Sequence, residues 1–162
     1  NRDSLETRKL MEKLNLKGIY SISKNAKEFL KDFYGNYANI DEIYEAIKYV
    51  YDNEGYLMDT HTAVGYVVLD KYRKETSDYR QALIASTASP YKFPRSICNA
   101  LGINISGKND FEILNILRDN TNTNIPNNLR NLDKKEVLHN EVCDKDKMTD
   151  SLLDFLRRTK ND

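Results

Sequence analysis

The sequence contains little cysteine, little glycine and no excess of charge, and each shortage excludes a class of protein. Its two cysteines, Cys98 and Cys143, lie far apart without a CxxC spacing, which excludes a disulfide framework and a cysteine-based zinc site. Six glycines and no glycine-rich phosphate motif speak against a nucleotide site. Since 25 basic residues balance 25 acidic ones, we expect no nucleic-acid partner.

Long hydrophobic runs are missing too, and none approaches the roughly 20 apolar residues of a membrane span. No signal peptide pattern opens the chain, so we expect a cytoplasmic protein without a membrane partner. The chain starts at Asn1 with no methionine and with a helix-start pattern at once, as if cut from a longer polypeptide. Its 162 residues, 40% of them hydrophobic, suffice for one core or for part of a larger one.

Helical periodicity dominates what is present. Capping residues followed by apolar stripes of helical spacing predict most of the elements. The predicted helices cover about 4–17, Ser23 to Gly35, Asn39 to Gly55, 60–75, Ser89 to Gly102, a stretch from Asn109 through Leu117, and a terminal amphipathic segment around 152–156.

Two short runs predict strands. Residues 18–23 combine β-branched and aromatic side chains, and residues 82–85, ALIA, are apolar at every position, as in a strand buried on both faces. We therefore expect an α/β fold that is dominated by helices. Its parts are a helical lead-in (1–55), a helix-strand-helix part (56–107) and a helical tail (108–162). In such layers ligands bind beyond the carboxyl ends of strands, which is just after residue 85.

Three hydroxyl residues, Ser86, Thr87 and Ser89, follow the second predicted strand. They could present hydrogen-bonding groups to a ligand, or they could cap the next helix, for which Ser89 before Pro90 is well suited. Spacing alone supports both interpretations equally, and both can hold for different residues. The two histidines favour capping or surface roles, since His61 lies at a helix start and His139 in a charged segment.

Two segments resemble motifs of a known family. Residues 55–64 read GYLMDTHTAV, similar to the G-Y-x-x-D-P-H-T-A-V element of threonine synthases, with Thr60 at the usual proline. Residues 86–94 read STASPYKFP, similar to their S-T-A-x-P-x-K-F-P element. Order and separation agree with the family as well. The chain therefore resembles the C-terminal portion of a threonine synthase.

The resemblance implies the fold type II architecture of pyridoxal-phosphate enzymes, similar to the tryptophan synthase β-subunit. It implies a lyase of threonine biosynthesis that turns O-phospho-L-homoserine and water into L-threonine and phosphate. The family's Schiff-base lysine, in an SFKD-like segment, and its glycine-rich phosphate loop precede these motifs and are not found in this sequence. The missing N-terminal part would be the partner of this portion, which alone should be inactive and should bind no cofactor.

Individual residues can be carried over only within the two motifs. Thr87 matches the threonine whose hydroxyl hydrogen-bonds the pyridine nitrogen of the cofactor in this family, and Ser86 and Ser89 could orient that group. Asp59, His61 and Lys92 belong to the matching motifs without an assigned role. No catalytic residue and no metal ligand is expected here. An apolar patch is expected around 82–85, or on the helix with Val64 and Val68, where the rest of the enzyme would pack.

Two other functions compete with this interpretation. A non-catalytic helical module for protein interaction would use the amphipathic helices and the mixed charge, but it leaves the predicted buried strand and the triple-hydroxyl turn unexplained. A small hydrolase would use His61 with Cys98 or a serine, yet no motif of such an enzyme is present. A lysine-bearing SFKD-like segment and a glycine-rich phosphate loop upstream of Asn1 would decide in favour of the threonine synthase interpretation.

Overall fold

Helices are the only regular elements in the part of the chain that the structure describes, residues 3–138 and 140–158 of a computed structural model. His139 lies outside the described residues. The helices are α1 (Ser4–Lys17), α2 (Lys24–Phe29), α3 (Ile40–Glu54), α4 (Thr60–Thr76), α5 (Pro94–Ala100), α6 (Asp110–Thr121) and α7 (Met148–Arg158). Short 3-10 turns cover Pro90–Lys92, Leu132–Lys134 and Lys145–Lys147. The predicted dominance of helices is confirmed.

The predicted capping residues begin their helices. Asn39 and Glu42 form a reciprocal capping box at α3, in which the backbone N–H of Glu42 donates to Asn39 Oδ1 at 2.9 Å and that of Asn39 to Glu42 Oε2 at 2.8 Å. Asn109 and Glu112 repeat the arrangement at α6. Gly55 ends α3 at φ 65°, a left-handed conformation that favours glycine.

The two predicted strands are not formed in the described residues. Residues 18–23 and 82–85 have no regular structure, and Leu83 is 98% exposed. A strand exists only when a neighbouring strand takes its backbone hydrogen bonds, and no such neighbour lies in the described ranges. The exposure of Leu83 agrees with the expected apolar patch, whereas Val64 and Val68 are half-buried.

The second predicted helix is shorter than expected. α2 ends at Phe29, and only single turns continue as far as Phe33, whose N–H donates to the carbonyl of Leu30. Phe29 and Phe33 are 79% and 75% exposed. Because a short helix is held mainly by the packing of its apolar face, an unpacked face does not sustain further turns.

The core lies among α3, α4, α5 and α6. α3 packs on α4 and α5, and α5 packs on α6. The side chains at its centre are fully buried, and they are Ile47, Ala63, Ile97, Cys98, Ile113 and Leu117. This helical core supports both motif segments, since one leads into α4 and the other into α5.

The chain divides into two units, Asn1–Asn124 and Ile125–Asp162. The first contains the core and both motifs. In the second, α7 contacts the 3-10 turn Lys145–Lys147, and Arg158 forms an ion pair with Glu141. The three-part division drawn from the sequence stays a prediction. None of the helices in the described ranges is long and apolar enough to cross a membrane.

Candidate functional site

Asp59 is the buried centre of the first motif. It is 1% exposed and precedes α4 as its N-cap residue. Its two oxygens have separate tasks. Oδ1 accepts the backbone N–H groups of His61 at 2.8 Å and Thr62 at 3.3 Å, while Oδ2 accepts the Thr62 hydroxyl and, at 3.5 Å, the Ser86 hydroxyl. One carboxylate therefore starts the helix and also reaches the second motif.

These donors determine the ionisation of Asp59. Burial raises the pKa of the carboxyl, but the hydrogen bond from the Thr62 hydroxyl, the N–H groups of His61 and Thr62, and the attraction of the His61 ring together lower it below its ordinary value of 3.8. The carboxylate is thus ionised at neutral pH, with hydrogen bonds in place of the water that burial removes.

The two motifs meet at Ser86. Its Oγ lies 3.1 Å from Thr62 Oγ1 as well as 3.5 Å from Asp59 Oδ2. Thr62 is buried, whereas Ser86 is exposed at the residue level, so this contact lies where the core reaches the surface. Sequence reasoning gave Thr62 no site role. The available signal was a hydroxyl three residues after an N-cap aspartate, a spacing that brings both to the first helical turn.

The three hydroxyls of the second motif have different surroundings. The Ser86 hydroxyl contacts Asp59 and Thr62, and the Ser89 Oγ accepts the N–H of Tyr91 at 3.2 Å as the cap of the 3-10 turn that starts at Pro90. Ser89 is therefore a cap with Pro90 after it, as predicted, but it caps a 3-10 turn, and the α-helix begins only at Pro94, after Phe93. Thr87 is exposed, and its hydroxyl makes no hydrogen bond within the described residues. Of the three, it is the one available to a ligand.

His61 and Lys92, the remaining motif residues, lie around the ring of Phe93. The centroids of the His61 and Phe93 rings are 5.2 Å apart, and Lys92 Nζ lies 5.5 Å from the Phe93 centroid. The side chain of His61 is 60% exposed, with Nδ1 3.4 Å from Asp59 Oδ1. The contact between the His61 and Phe93 rings joins the two motifs, whereas Lys92 and Phe93 belong to the same motif. Within the described residues no group of three or more potential ligands could hold a metal ion.

A groove is lined in part by the segment that leads to Ser86, residues 82–85. Its volume is 880 Å³, and its lining includes Phe33, Gly65, Val68 and Leu83. Gly65 matters to its shape, because a Cβ there would lie 3.2 Å from Ile84 Cγ2, closer than side chains usually approach. The glycine therefore lets the segment before Ser86 lie close against α4.

Cys98 does not fit the role of a nucleophile. It is fully buried in α5, and burial raises the pKa of its thiol more than Arg95 lowers it. Reactive cysteines need an exposed, readily formed thiolate. The geometry therefore gives the hydrolase interpretation no support through this residue.

Comparison with known proteins identifies the family. The model of the family described as "Threonine synthase, C-terminal" matches residues 62–150, which is more than half of the chain and includes the whole second motif. The chain belongs to the threonine synthase family. It corresponds to a C-terminal portion of a threonine synthase-like protein.

Individual relatives agree. The chain is 34% identical over 104 residues to human threonine synthase-like 1, covering 64% of this chain and 14% of that protein. It is 36% identical over 72 residues to threonine synthase of Schizosaccharomyces pombe, covering 44% of this chain and again 14% of that protein. The chain thus spans about a seventh of the length of these relatives.

A solved structure also matches. The crystal structure of PLP-bound threonine synthase from Brucella melitensis has a TM-score of 0.46 and 25% identity to this chain, covering 72% of this chain and 24% of that one.

Pyridoxal phosphate, which the family implies, can be tested against the residues present. The ring nitrogen of such a cofactor needs a hydrogen-bonding partner, and the exposed Thr87 hydroxyl, without a partner among the described residues, fits that need. The sequence has no lysine in an SFKD-like segment and no glycine-rich phosphate loop. Of these three requirements, the residues present fit that for a hydrogen-bond partner of the ring nitrogen.

Proposed function

We propose that this chain is the portion of a pyridoxal-phosphate-dependent threonine synthase that supplies the partner of the cofactor's pyridine nitrogen. The whole protein would convert O-phospho-L-homoserine and water to L-threonine and phosphate, in the cytoplasm. The family match supports the assignment. The observation that carries it is the Thr87 hydroxyl, which has no hydrogen-bond partner among the described residues and lies between two anchored residues, Ser86 and Ser89.

Thr87 would act as a hydrogen-bond partner and not as an acid. When bound, the cofactor supplies an electron sink for carbanion chemistry. A neutral hydroxyl at the ring nitrogen does not hold that nitrogen protonated, as a carboxylate would, and it therefore limits how much negative charge the ring accepts. In this proposal Thr87 sets the strength of the sink, and no proton-transfer step is assigned to it.

The rest of the cofactor site would come from the remainder of the protein. The lysine and the phosphate loop are not in this sequence, so the chain alone should neither bind pyridoxal phosphate tightly nor form threonine. Titration with the cofactor, followed by borohydride reduction and peptide mass spectrometry, tests the first part. A stable adduct at a single lysine of this chain would contradict the proposed division of the site.

The reaction itself is tested on the full-length protein. Incubation with O-phospho-L-homoserine and pyridoxal phosphate should release equal amounts of phosphate and threonine, whereas O-phospho-L-serine in place of the substrate is the control for non-specific phosphatase activity. Phosphate release without threonine would reject the reaction while leaving family membership untouched.

The second candidate, a module for protein interaction, is favoured by α7. Its apolar residues Met148, Leu152 and Leu153 are 61%, 57% and 45% exposed, which would suit a helix that binds a partner protein. The two functions differ in their need for a cofactor. A full-length protein that binds no pyridoxal phosphate, yet loses a protein partner when these three residues are replaced by serine, would favour the interaction module.

A further inference from the structure

Ser86, the residue before Thr87, contacts the other motif, and this contact is more than the start of a helix requires. Asp59 uses Oδ1 for the N–H groups of α4, which is all that an N-cap requires. Oδ2 is left over. It accepts the Thr62 hydroxyl and the Ser86 hydroxyl, and the latter comes from a residue 27 positions along the chain.

The Ser86 contact restrains Thr87 directly. Consecutive Cα atoms lie about 3.8 Å apart, so an anchored Ser86 limits how far the Cα of Thr87 can move. On the other side Ser89 is fixed too, because its Oγ accepts the N–H of Tyr91 and its carbonyl the N–H of Lys92. Only Ala88 separates Thr87 from this second anchor. The hydroxyls of Ser86 and Ser89 are thus held by hydrogen bonds, and the Thr87 hydroxyl between them has no partner among the described residues.

We infer that Asp59 and Thr62 are positioning residues that act through Ser86 to hold the Thr87 hydroxyl where the cofactor's ring nitrogen needs it. The inference rests on the proposed function for the identity of the ligand, but the restraint on Thr87 is a property of this chain. Pre-organisation of this kind raises affinity because the ordering of the hydroxyl is completed before the ligand binds.

The restraint is measured first, without any cofactor. In this chain, Ser86→Ala should lower the NMR order parameter of the Thr87 methyl group, since the anchor is lost while Asp59 keeps its helix cap. Ser86→Thr keeps a hydroxyl and should restore the order. Ser106→Ala is the matched control, because Ser106 is also exposed and its side chain takes no part in the contact. An unchanged Thr87 methyl in Ser86→Ala overturns the inference.

Thr62, the buried residue of this contact, is tested by a substitution of its own. Thr62→Val removes a hydroxyl at nearly constant volume and should loosen Thr87 in the same way, whereas Thr62→Ser should not. Thr62 is buried, so the unfolding transition of each variant is recorded beside the order parameter. A folded Thr62→Val protein whose Thr87 remains as ordered as in the parent chain would remove Thr62 from the positioning role.

The link to the cofactor is measured on the full-length protein. Ser86→Ala should raise the dissociation constant of pyridoxal phosphate about three- to tenfold, which corresponds to the loss of one hydrogen bond. If Ser86 acts through Thr87, the same change in a Thr87→Val background should add less than about twofold. Additive effects of the two substitutions would overturn the inference.

The failure of the proposed function looks different. If Thr87→Val alone leaves cofactor affinity unchanged, Thr87 is not the ring partner, and the proposed site fails whatever Ser86 does. If Thr87→Val weakens binding and Ser86→Ala does not, the site stands and the positioning inference fails.

Discussion

The rings of His61 and Phe93 lie 5.2 Å apart, which brings the histidine of one motif against the phenylalanine of the other. The contact lies beside the hydrogen bonds that join Asp59 and Thr62 to Ser86. Two segments that were recognised separately in the sequence therefore form one site. A substitution in either segment should therefore also affect the other.

Thr87→Val should weaken the complete enzyme without unfolding it. The substitution keeps nearly the same volume but deletes the hydroxyl, and the loss of one hydrogen bond in a partly desolvated site costs about 1–3 kcal/mol. Cofactor dissociation constants and turnover of the full-length variant measure the effect. Thr87→Ser is the control, and it should be milder because the hydroxyl survives. Lower thermal stability of Thr87→Val with unchanged affinity would instead indicate a role in shaping the turn.

Asp59→Ala should destabilise the fold by about 2 kcal/mol at pH 7, from the lost cap and the donors left without an acceptor. The folded-state pKa of Asp59 lies below the ordinary 3.8, so its stabilisation is complete above that value and disappears as the pH falls through the folded-state pKa. Urea unfolding of the parent chain and of Asp59→Ala between pH 7 and pH 3 measures this. The difference between their free energies of unfolding should become smaller towards pH 3.

Asp3→Ala is the control for the Asp59 experiment. Asp3 also caps a helix, accepting the N–H of Glu6 at 2.9 Å, but it is exposed and reaches no second segment. It should cost about 1 kcal/mol or less. If the two substitutions were equally harmful, the contacts of Asp59 Oδ2 would contribute nothing to stability.

Cys98 should resist thiol reagents while the chain is folded. It is fully buried with a raised pKa, whereas Cys143 is exposed, and modification of a buried thiol has to wait for opening of the structure. Mass spectrometry after brief treatment with iodoacetamide should find label on Cys143, and on both residues only in denaturant. Rapid labelling of Cys98 in a folded Cys143→Ser variant would revive the hydrolase interpretation.

Leu83→Asp should reduce self-association of the isolated chain. Leu83 is 98% exposed on the groove, whose lining combines apolar residues with Lys31, Asp32 and Arg80, and an exposed apolar side chain beside other apolar residues favours association between molecules. Sedimentation velocity over a range of concentrations would measure the change. Leu16→Asp is the matched control, since Leu16 is 84% exposed and does not line the groove. Equal effects of both would point to general hydrophobicity and not to the groove.

The elements that could be predicted are those set by neighbours in the sequence. The caps at Asn39 and Asn109 and the stop at Gly55 depend on residues within one turn, and each is where the pattern indicated it. The prediction of a strand at 82–85 was wrong, although these residues have the composition of a strand. A strand also needs a paired neighbour, and the local sequence does not show whether one is present. Apolar composition likewise suggested burial, and Leu83 is exposed.

The site was predicted in part. The turn of three hydroxyls and the cap at Ser89 followed from residue types, while the place of Asp59 in the site followed from the resemblance. The division of labour among the hydroxyls could not be predicted, because it depends on the approach of Ser86 to a carboxylate 27 residues earlier. Periodicity does not report contacts at that distance along the chain.

The contact between Thr62 and Ser86 spans 24 residues, and α4 occupies most of that interval. Loops of this size close at small entropic cost, and contacts that are short-range in sequence form early in folding. The two motifs can therefore come together soon after α4 forms, before the segments that follow are in place.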